Sequence, residues 1–153
     1  MHNDLIPVVL EIAITQQTPQ QPSLMFTLEQ LNEARGRVKS GADFPILVQD
    51  FIRLGVRRYT TWLTDGHSDY EGAEQRLSSP PSHAVQPIAG LLDREHFITR
   101  VKHHQQGGSD YPTICDEARA AGVQRWVVDT QAMTCTYYTP SNEVVLLEAI
   151  PVP

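Results

Sequence analysis

Cys115 and His104 could together perform nucleophilic chemistry. Cys115 lies in the first turns of a helix that we predict to begin at Asp110 and Pro112, where the helix dipole can lower the pKa of a thiol. A nearby histidine such as His104 could then serve as the general base. Cys115 also falls on the apolar stripe of the same helix, where free cysteine usually packs as a small hydrophobic residue. The sequence favours packing and leaves a nucleophile–base pair as the alternative.

His67, Asp69 and Glu71 alternate along a predicted strand, so their side chains share one face of a sheet. One imidazole and two carboxylates could hold a divalent metal or supply a general base. The same alternation is typical of a solvated sheet surface. We therefore expect no metal and no other cofactor. These three residues are the candidate ligands in the alternative case that a metal binds.

Trp62 and Tyr138 are large aromatic residues on the predicted outer face of two hairpins. Exposed rings on a sheet often mark a ligand or partner surface. These two residues form the predicted binding surface, with helix cover or plain exposure as the alternatives.

The elements that position these residues occur twice. Between residues 43–72 and 110–139, an offset of 67 residues aligns six identical residues without a gap. Asp43-Phe44-Pro45 recurs as Asp110-Tyr111-Pro112, and the segment beginning Gly55-Val56 recurs as the one beginning Gly122-Val123. Such self-similarity predicts a duplicated structural unit. We expect one α+β domain over residues 25–153, made of two repeats at about 25–92 and 93–153.

Each repeat is predicted to run helix–helix–strand–strand–strand, with antiparallel hairpins packed against helices and a pseudo-two-fold axis between the halves. Apolar residues at three- and four-residue spacing predict the opening helices, Leu28–Lys39 and Arg94–Gln105. Each second helix should begin at the Asp-aromatic-Pro motif and end at Gly55 or Gly122. The third strands are predicted at His83–Ile88 and Glu143–Ile150.

Asp65-Gly66 predicts a two-residue hairpin turn that pairs Thr61 with Tyr70. Strict alternation then assigns the strand side chains to two faces. The predicted inner face consists of Tyr59, Thr61, Leu63, Ser68 and Tyr70 in the first hairpin, and of Trp126, Val128, Thr130, Cys135 and Tyr137 in the second.

Composition excludes several classes of protein. The chain has 153 residues, a net charge of −6 and 41% apolar residues, which is ordinary for a globular domain. Scattered basic residues and negative charge argue against a nucleic-acid partner. The apolar run Ile6–Ile14 is too short to span a bilayer, and two cysteines favour a cytoplasmic location. Residues 1–24 end in a Gln- and Pro-rich stretch, which predicts a flexible extension.

Several motifs in order carry a resemblance to a known family. They are Val38-Lys39-Ser40-Gly41-Ala42-Asp43-Phe44-Pro45, Leu54-Gly55-Val56, Asp65-Gly66-His67, His104-Gln105-Gln106-Gly107, Asp110-Tyr111-Pro112, Ala121-Gly122-Val123 and Met133-Thr134-Cys135-Thr136-Tyr137-Tyr138. Over about residues 25–153 the chain resembles the uncharacterised bacterial family of YbcV-like, prophage-associated proteins, sometimes labelled phage envelope protein. The resemblance implies a shared fold and no defined activity.

The sequence contains no established catalytic motif, such as a phosphate-binding loop or a nucleophile elbow. The leading hypothesis is a small cytoplasmic, non-enzymatic binding or regulatory module, acting as a monomer or a homodimer on an unknown protein or small-molecule partner. The alternative is an enzyme with a one-sided site, using His67 with Asp69 or Cys115 with His104.

Overall fold

Four α-helices and a six-stranded antiparallel sheet make up the α+β fold of residues 25–153, the part of the chain that the computed structural model describes. The helices are α1 (Leu28–Gly36), α2 (Phe44–Leu54), α3 (Arg94–Gln105) and α4 (Tyr111–Ala120), with a short 3-10 turn at Gly41–Asp43. The strands are β1 (Arg58–Trp62), β2 (Ser68–Glu71), β3 (Arg76–Ser78), β4 (Arg125–Asp129), β5 (Thr134–Tyr138) and β6 (Val144–Ala149). The predicted extension 1–24 lies outside the described residues.

Local capping interactions define the helix ends. Thr27 and Gln30 cap the start of α1 reciprocally, each side chain accepting a hydrogen bond from the other residue's backbone N–H. The carboxylate of Asp110 accepts a hydrogen bond of 2.9 Å from the backbone N–H of Thr113 at the start of α4. Gly55 ends α2 with a φ of 99°, a conformation that glycine adopts without steric cost. These interactions confirm the predicted start of α4 and the end of α2.

The strand order is β3-β2-β1-β4-β5-β6, and each strand is antiparallel to its neighbours. The strands of the first hairpin therefore form one half of the sheet, and those of the second hairpin form the other half. β1 and β4 join them in the middle, and their pairing is centred on Thr60 opposite Val127.

The predicted inner face is confirmed in both hairpins. All ten of its residues are buried, from Val128 at 0% exposure to Trp126 at 9%. The seven apolar or aromatic residues among them join the buried residues of the helices in one core. Phe51 of α2, for example, packs edge to face on Tyr59 at 5.2 Å and on Tyr70 at 5.7 Å between ring centroids.

The predicted third strand of the first hairpin, His83–Ile88, is wrong. The strand at this edge of the sheet is β3, Arg76–Ser78, whose Leu77 pairs with Tyr70. The backbone N–H of Gln86 instead donates to the carbonyl of Thr64, outside any strand ladder. β3 has only three residues and no strongly strand-forming side chain, so its sequence pattern is too short to predict a strand. The prediction for the second hairpin, Glu143–Ile150, is confirmed by β6.

The predicted two-residue turn at Asp65-Gly66 is also wrong. Thr61 pairs with Ser68 rather than Tyr70, so the loop is longer and the register moves by two residues. A shift of two preserves the face of every side chain, which is why the inner face is correct despite the wrong register.

Within residues 25–153, no helix is both long enough and apolar enough to cross a membrane.

Candidate functional site

A cavity of about 380 Å³ lies between the helices and the inner face of the sheet. This volume falls within the usual range of small-molecule pockets, roughly 300–1,000 Å³. Most of the surface that lines it is apolar, and the apolar lining residues include Phe44, Leu47, Phe97, Val101, Ile114 and Trp126. Residues from both hairpins and from all four helices line the cavity, which is partly open to solvent.

Arg35 of α1 places a guanidinium group in this apolar wall. Its Nε donates a hydrogen bond of 2.8 Å to the hydroxyl of Tyr70, and Nη2 donates one of 3.4 Å to Oγ of Ser68. The guanidinium carbon also lies 5.5 Å from the ring centroids of Phe51 and Tyr59, and 5.7 Å from that of Tyr70. Three aromatic rings and two hydroxyls therefore hold the cation in place.

No ion pair of residues 25–153 includes Arg35. The acidic residue nearest to it in α1 is Glu33, which is well exposed and pairs instead with Arg37. The guanidinium of Arg35 is consequently a positive charge in an apolar cavity without a carboxylate partner in the described chain.

His104 of α3 also lines the cavity and packs against Gly41. Its Nδ1 lies 2.9 Å from the backbone carbonyl oxygen of Ser109. Because a carbonyl can only accept, Nδ1 carries the proton in the neutral ring and Nε2 is left as an acceptor. Burial lowers the pKa of His104, which favours this neutral form.

The two thiols are buried and protonated at neutral pH. Burial raises the pKa of Cys115 to about 11 and that of Cys135 to about 12. The shift at Cys115 is opposite to the helix-dipole effect considered for a nucleophile. Cys135, rather than Cys115, lines the cavity with His104, and no hydrogen bond joins His104 to either thiol among the described residues. The Cys115–His104 pair stays a prediction.

The structure brings Trp62 and Tyr138 together through Arg125 on the outer face. Arg125 pairs with Trp62 across β1 and β4, and with Tyr138 across β4 and β5. Its guanidinium carbon lies 5.4 Å from the Trp62 ring centroid and 4.5 Å from that of Tyr138. Arg125 also donates hydrogen bonds to polar groups nearby, such as Oδ1 of Asn142 at 2.6 Å. These three side chains form a continuous stacked row, which we call the outer-face row. The alternation of residues along the strands does not predict their contact.

Of the metal candidates, His67 and Asp69 are adjacent and Glu71 is separate. Nε2 of His67 lies 3.6 Å from Oδ1 of Asp69, while Nδ1 lies 2.6 Å from Oδ1 of Asp65. Glu71 instead pairs with Arg58 and Arg76, at 4.0 and 3.5 Å. Within residues 25–153, no group of three or more His, Cys, Asp or Glu side chains is arranged to hold a metal ion.

Comparison with known proteins gives a family and no activity. Residues 32–149 match the family described as "Protein of unknown function (DUF1398)". The chain belongs to this family. It is 32% identical over 97 residues to an uncharacterized protein of Mycobacterium bovis and to uncharacterized proteins of two strains of Mycobacterium tuberculosis, covering 62% of this chain. The chain spans 59% of the length of these relatives.

Arg35, His104 and the outer-face row all lie inside the segment that matches the DUF1398 family. Sequence reasoning missed Arg35 and the cavity entirely. Arg35 and Arg37 both follow the apolar stripe of one helix, and no local signal separates the half-buried Arg35 from the exposed Arg37. A residue of α1 reaches Ser68 and Tyr70 only after the chain has folded.

Proposed function

We propose that this DUF1398 protein is a non-enzymatic binding module that takes a small, mainly apolar molecule into the cavity between its helices and its sheet. The cavity itself, about 380 Å³ and lined by apolar side chains, carries the proposal. Protein interiors are close-packed, and voids larger than a water molecule are few. Apolar voids do not attract water but do bind apolar molecules.

The state of the titratable groups supports binding over catalysis. Both thiols are protonated at neutral pH because burial raises their pKa values to about 11 and about 12. His104 uses Nδ1 to hold the Ser109 carbonyl, and no nucleophile lies within hydrogen-bonding distance of its Nε2 among the residues described. The cavity is therefore equipped to hold a molecule more readily than to activate one.

The internal duplication is part of this proposal. The strand order reads the same from either edge, and Thr60 and Val127, which lie opposite each other, are 67 residues apart in sequence. Four pairs of cavity residues share this offset: Val38 with Gln105, Phe44 with Tyr111, Leu47 with Ile114, and Tyr59 with Trp126. These relationships support two repeats, about 25–92 and 93–153, within one domain, with the ligand site where they meet.

Binding of a neutral fluorescent probe, N-phenyl-1-naphthylamine, tests the cavity without involving charge. We expect the probe to bind the native protein and to lose affinity at least tenfold in Val101→Phe, because the added ring occupies the cavity. Val144→Phe is the matched control, since Val144 is 47% exposed and lies away from the cavity. Equal probe binding by Val101→Phe and wild type would contradict the proposal.

The fold itself provides a second test of the same variant. Val101→Phe should leave stability unchanged or raise it, because the new ring fills existing space. Val145→Phe, at a buried site outside the cavity wall, should lose about 1–3 kcal/mol through overpacking. Similar losses in both variants would mean that the space beside Val101 is already filled.

A partner surface on the outer face is a second candidate function. Stacking of Arg125 between Trp62 and Tyr138 supports it, since aromatic and arginine side chains are enriched at interfaces. The proposed partner is a protein, with a second copy of this chain as the first case to test.

The enzyme alternative rests on His67 with Asp69, which are adjacent, or on Cys115 with His104. It requires that His67→Ala or Cys115→Ser abolish a reaction while leaving thermal stability intact. A large loss of stability in Cys115→Ser would instead reflect its place in the core, where Cys115 is 7% exposed.

A cytoplasmic setting and a prophage association are proposed on sequence grounds. Both cysteines are free thiols, which suits a reducing compartment, and the quoted motifs support the link to YbcV-like proteins. We propose no nucleic-acid or membrane partner and no cofactor. A structural phage component would form large ordered assemblies, which light scattering of the purified protein would detect.

A further inference from the structure

We infer that the ligand of the cavity is an amphipathic monocarboxylic acid, whose carboxylate binds Arg35 and whose apolar body fills the rest of the space. The inference rests on the proposed binding function of the cavity and names the class of molecule that it accepts.

The first argument is the unbalanced charge of Arg35. Burying a cation in an apolar environment is costly unless an anion or hydrogen bonds compensate. Contacts with Phe51, Tyr59 and Tyr70 compensate in part, but no carboxylate of residues 25–153 pairs with this guanidinium. An anionic ligand would complete the site.

The second argument is the geometry of the donors that remain. Tyr70 and Ser68 engage Nε and Nη2 of Arg35, while Nη1 has no hydrogen-bond partner among the described residues. A guanidinium presents parallel N–H groups that match the two oxygens of a carboxylate. Arg35 is the one arginine of a mostly apolar lining that also includes Lys39 and Asp110, and one arginine suits one negative charge better than the dianion of a phosphate ester, which needs more donors.

The third argument is the direction in which the cavity extends. Arg35 lies over β1 and β2, where it contacts Tyr59 and Tyr70. At the other side, Phe97 packs on Tyr137 of β5 at 5.0 Å between ring centroids, and Gln105 bonds to Glu148 of β6. The strand residues that line the cavity belong to β1, β4 and β5, and β1 and β5 are two strand spacings apart, or about 10 Å. Most of the lining between these positions is apolar, so the ligand needs an apolar body that extends away from its carboxylate.

Competition with the bound neutral probe measures this preference. Octanoate, octan-1-ol and octylamine differ only in the head group, and each would be titrated against N-phenyl-1-naphthylamine at pH 7. We expect octanoate to displace the probe at a concentration at least tenfold lower than octan-1-ol, and octylamine to be the weakest of the three. Equal potency of octanoate and octan-1-ol in the wild-type protein would overturn the inference without any variant being needed.

Arg35→Met then assigns the preference to one side chain. Methionine retains an apolar stem but no charge, so the advantage of octanoate should disappear while the probe still binds. Arg57→Met is the matched control, because Arg57 is exposed and outside the cavity, and it should retain the full preference. Arg35→Gln provides a second variant if Arg35→Met does not fold, and retention of the preference in the folded variant would contradict the assignment.

The two proposals fail in different ways. Probe binding with no preference for octanoate would leave the cavity function standing and remove the ligand class. Absence of binding for both the probe and octanoate, in calorimetry and in thermal denaturation, would remove both.

Discussion

Nε of Arg35 donates a hydrogen bond of 2.8 Å to the hydroxyl of Tyr70, which joins the first helix to the second strand across 35 residues of chain. The bond fixes a positive charge beside the cavity without neutralising it. The phenol thus has two roles, because its ring is part of the core and its hydroxyl orients the guanidinium.

Tyr70→Phe should lower the free energy of unfolding by about 1 kcal/mol, the usual contribution of one hydrogen bond. It should also reduce the preference for octanoate, since the guanidinium loses its main anchor. Urea unfolding and the competition titration measure the two effects. Tyr138→Phe is the control, because the Tyr138 hydroxyl makes no hydrogen bond within residues 25–153, and unchanged stability in both variants would contradict the proposed anchor.

The free energy of unfolding should fall in alkaline solution, because the buried thiols hold their protons more tightly in the folded state than in the unfolded state. Burial raises the folded-state pKa of Cys115 to about 11 and that of Cys135 to about 12, from an ordinary value of 9.0. Below pH 9 both the folded and unfolded states keep the protons, and the full stability is present. Above pH 9 the unfolded state ionises first, so stability is lost as the pH rises through the folded-state pKa values.

Each thiol should contribute a slope of up to about 1.4 kcal/mol per pH unit within that window. Urea unfolding between pH 8 and 11 measures the slope in the wild type and in Cys115→Val, which replaces the thiol with an apolar side chain of similar size. The variant should show a shallower decline. An identical decline in both proteins would assign the effect to the buried tyrosines, such as Tyr59, whose pKa is also raised by burial.

Gly41→Ala should be destabilising because the backbone of α3 lies directly against Gly41. A Cβ atom at this position would lie 2.3 Å from the carbonyl oxygen of His104 and 2.7 Å from Cδ2 of its ring. The helix and the loop must separate to admit it, with an expected loss of about 1–3 kcal/mol and weaker ligand binding. Thermal unfolding and probe titration measure both effects.

Gly36→Ala is the matched control for that substitution. A Cβ atom at Gly36 meets nothing within 4 Å, and alanine favours the helical conformation by about 0.5–1 kcal/mol. Gly36→Ala should therefore be neutral or stabilising. If the two variants had equal stability, the contact between Gly41 and His104 would not be a constraint on the fold.

Trp62→Ala and Tyr138→Ala should weaken self-association while leaving the fold intact. Both rings stack on Arg125 on the half-exposed outer face, and removal of either ring breaks the row. Sedimentation equilibrium over a range of protein concentrations measures the effect, with circular dichroism as the check on folding. Leu91→Ala, at a residue that is 86% exposed, is the control. A wild-type protein that stays monomeric at all concentrations would leave the outer face to a different protein partner, and unchanged association in both variants would remove the surface.

Predictions from sequence succeeded where the determining interactions are local. The start of α4 depends on Asp110 and Thr113, which are three residues apart, and the end of α2 depends on one glycine. The burial of Tyr59 and Tyr70 follows from the alternation of side chains along a strand. The prediction of the third strand in the first hairpin failed because β3 is too short to carry a local pattern and depends on its pairing with β2.

The sequence by itself determined the α+β class, the helix boundaries to within a few residues and the face on which each strand residue lies, because backbone capping and side-chain periodicity act over a few neighbouring positions. Only the tertiary structure decided that β1 pairs with β4, that Arg35 is half-buried while Arg37 is exposed, and that Trp62 and Tyr138 meet at Arg125. Each of these arrangements depends on contacts between residues far apart in the chain. Their energies are set by packing and charge in three dimensions, which local propensity does not encode.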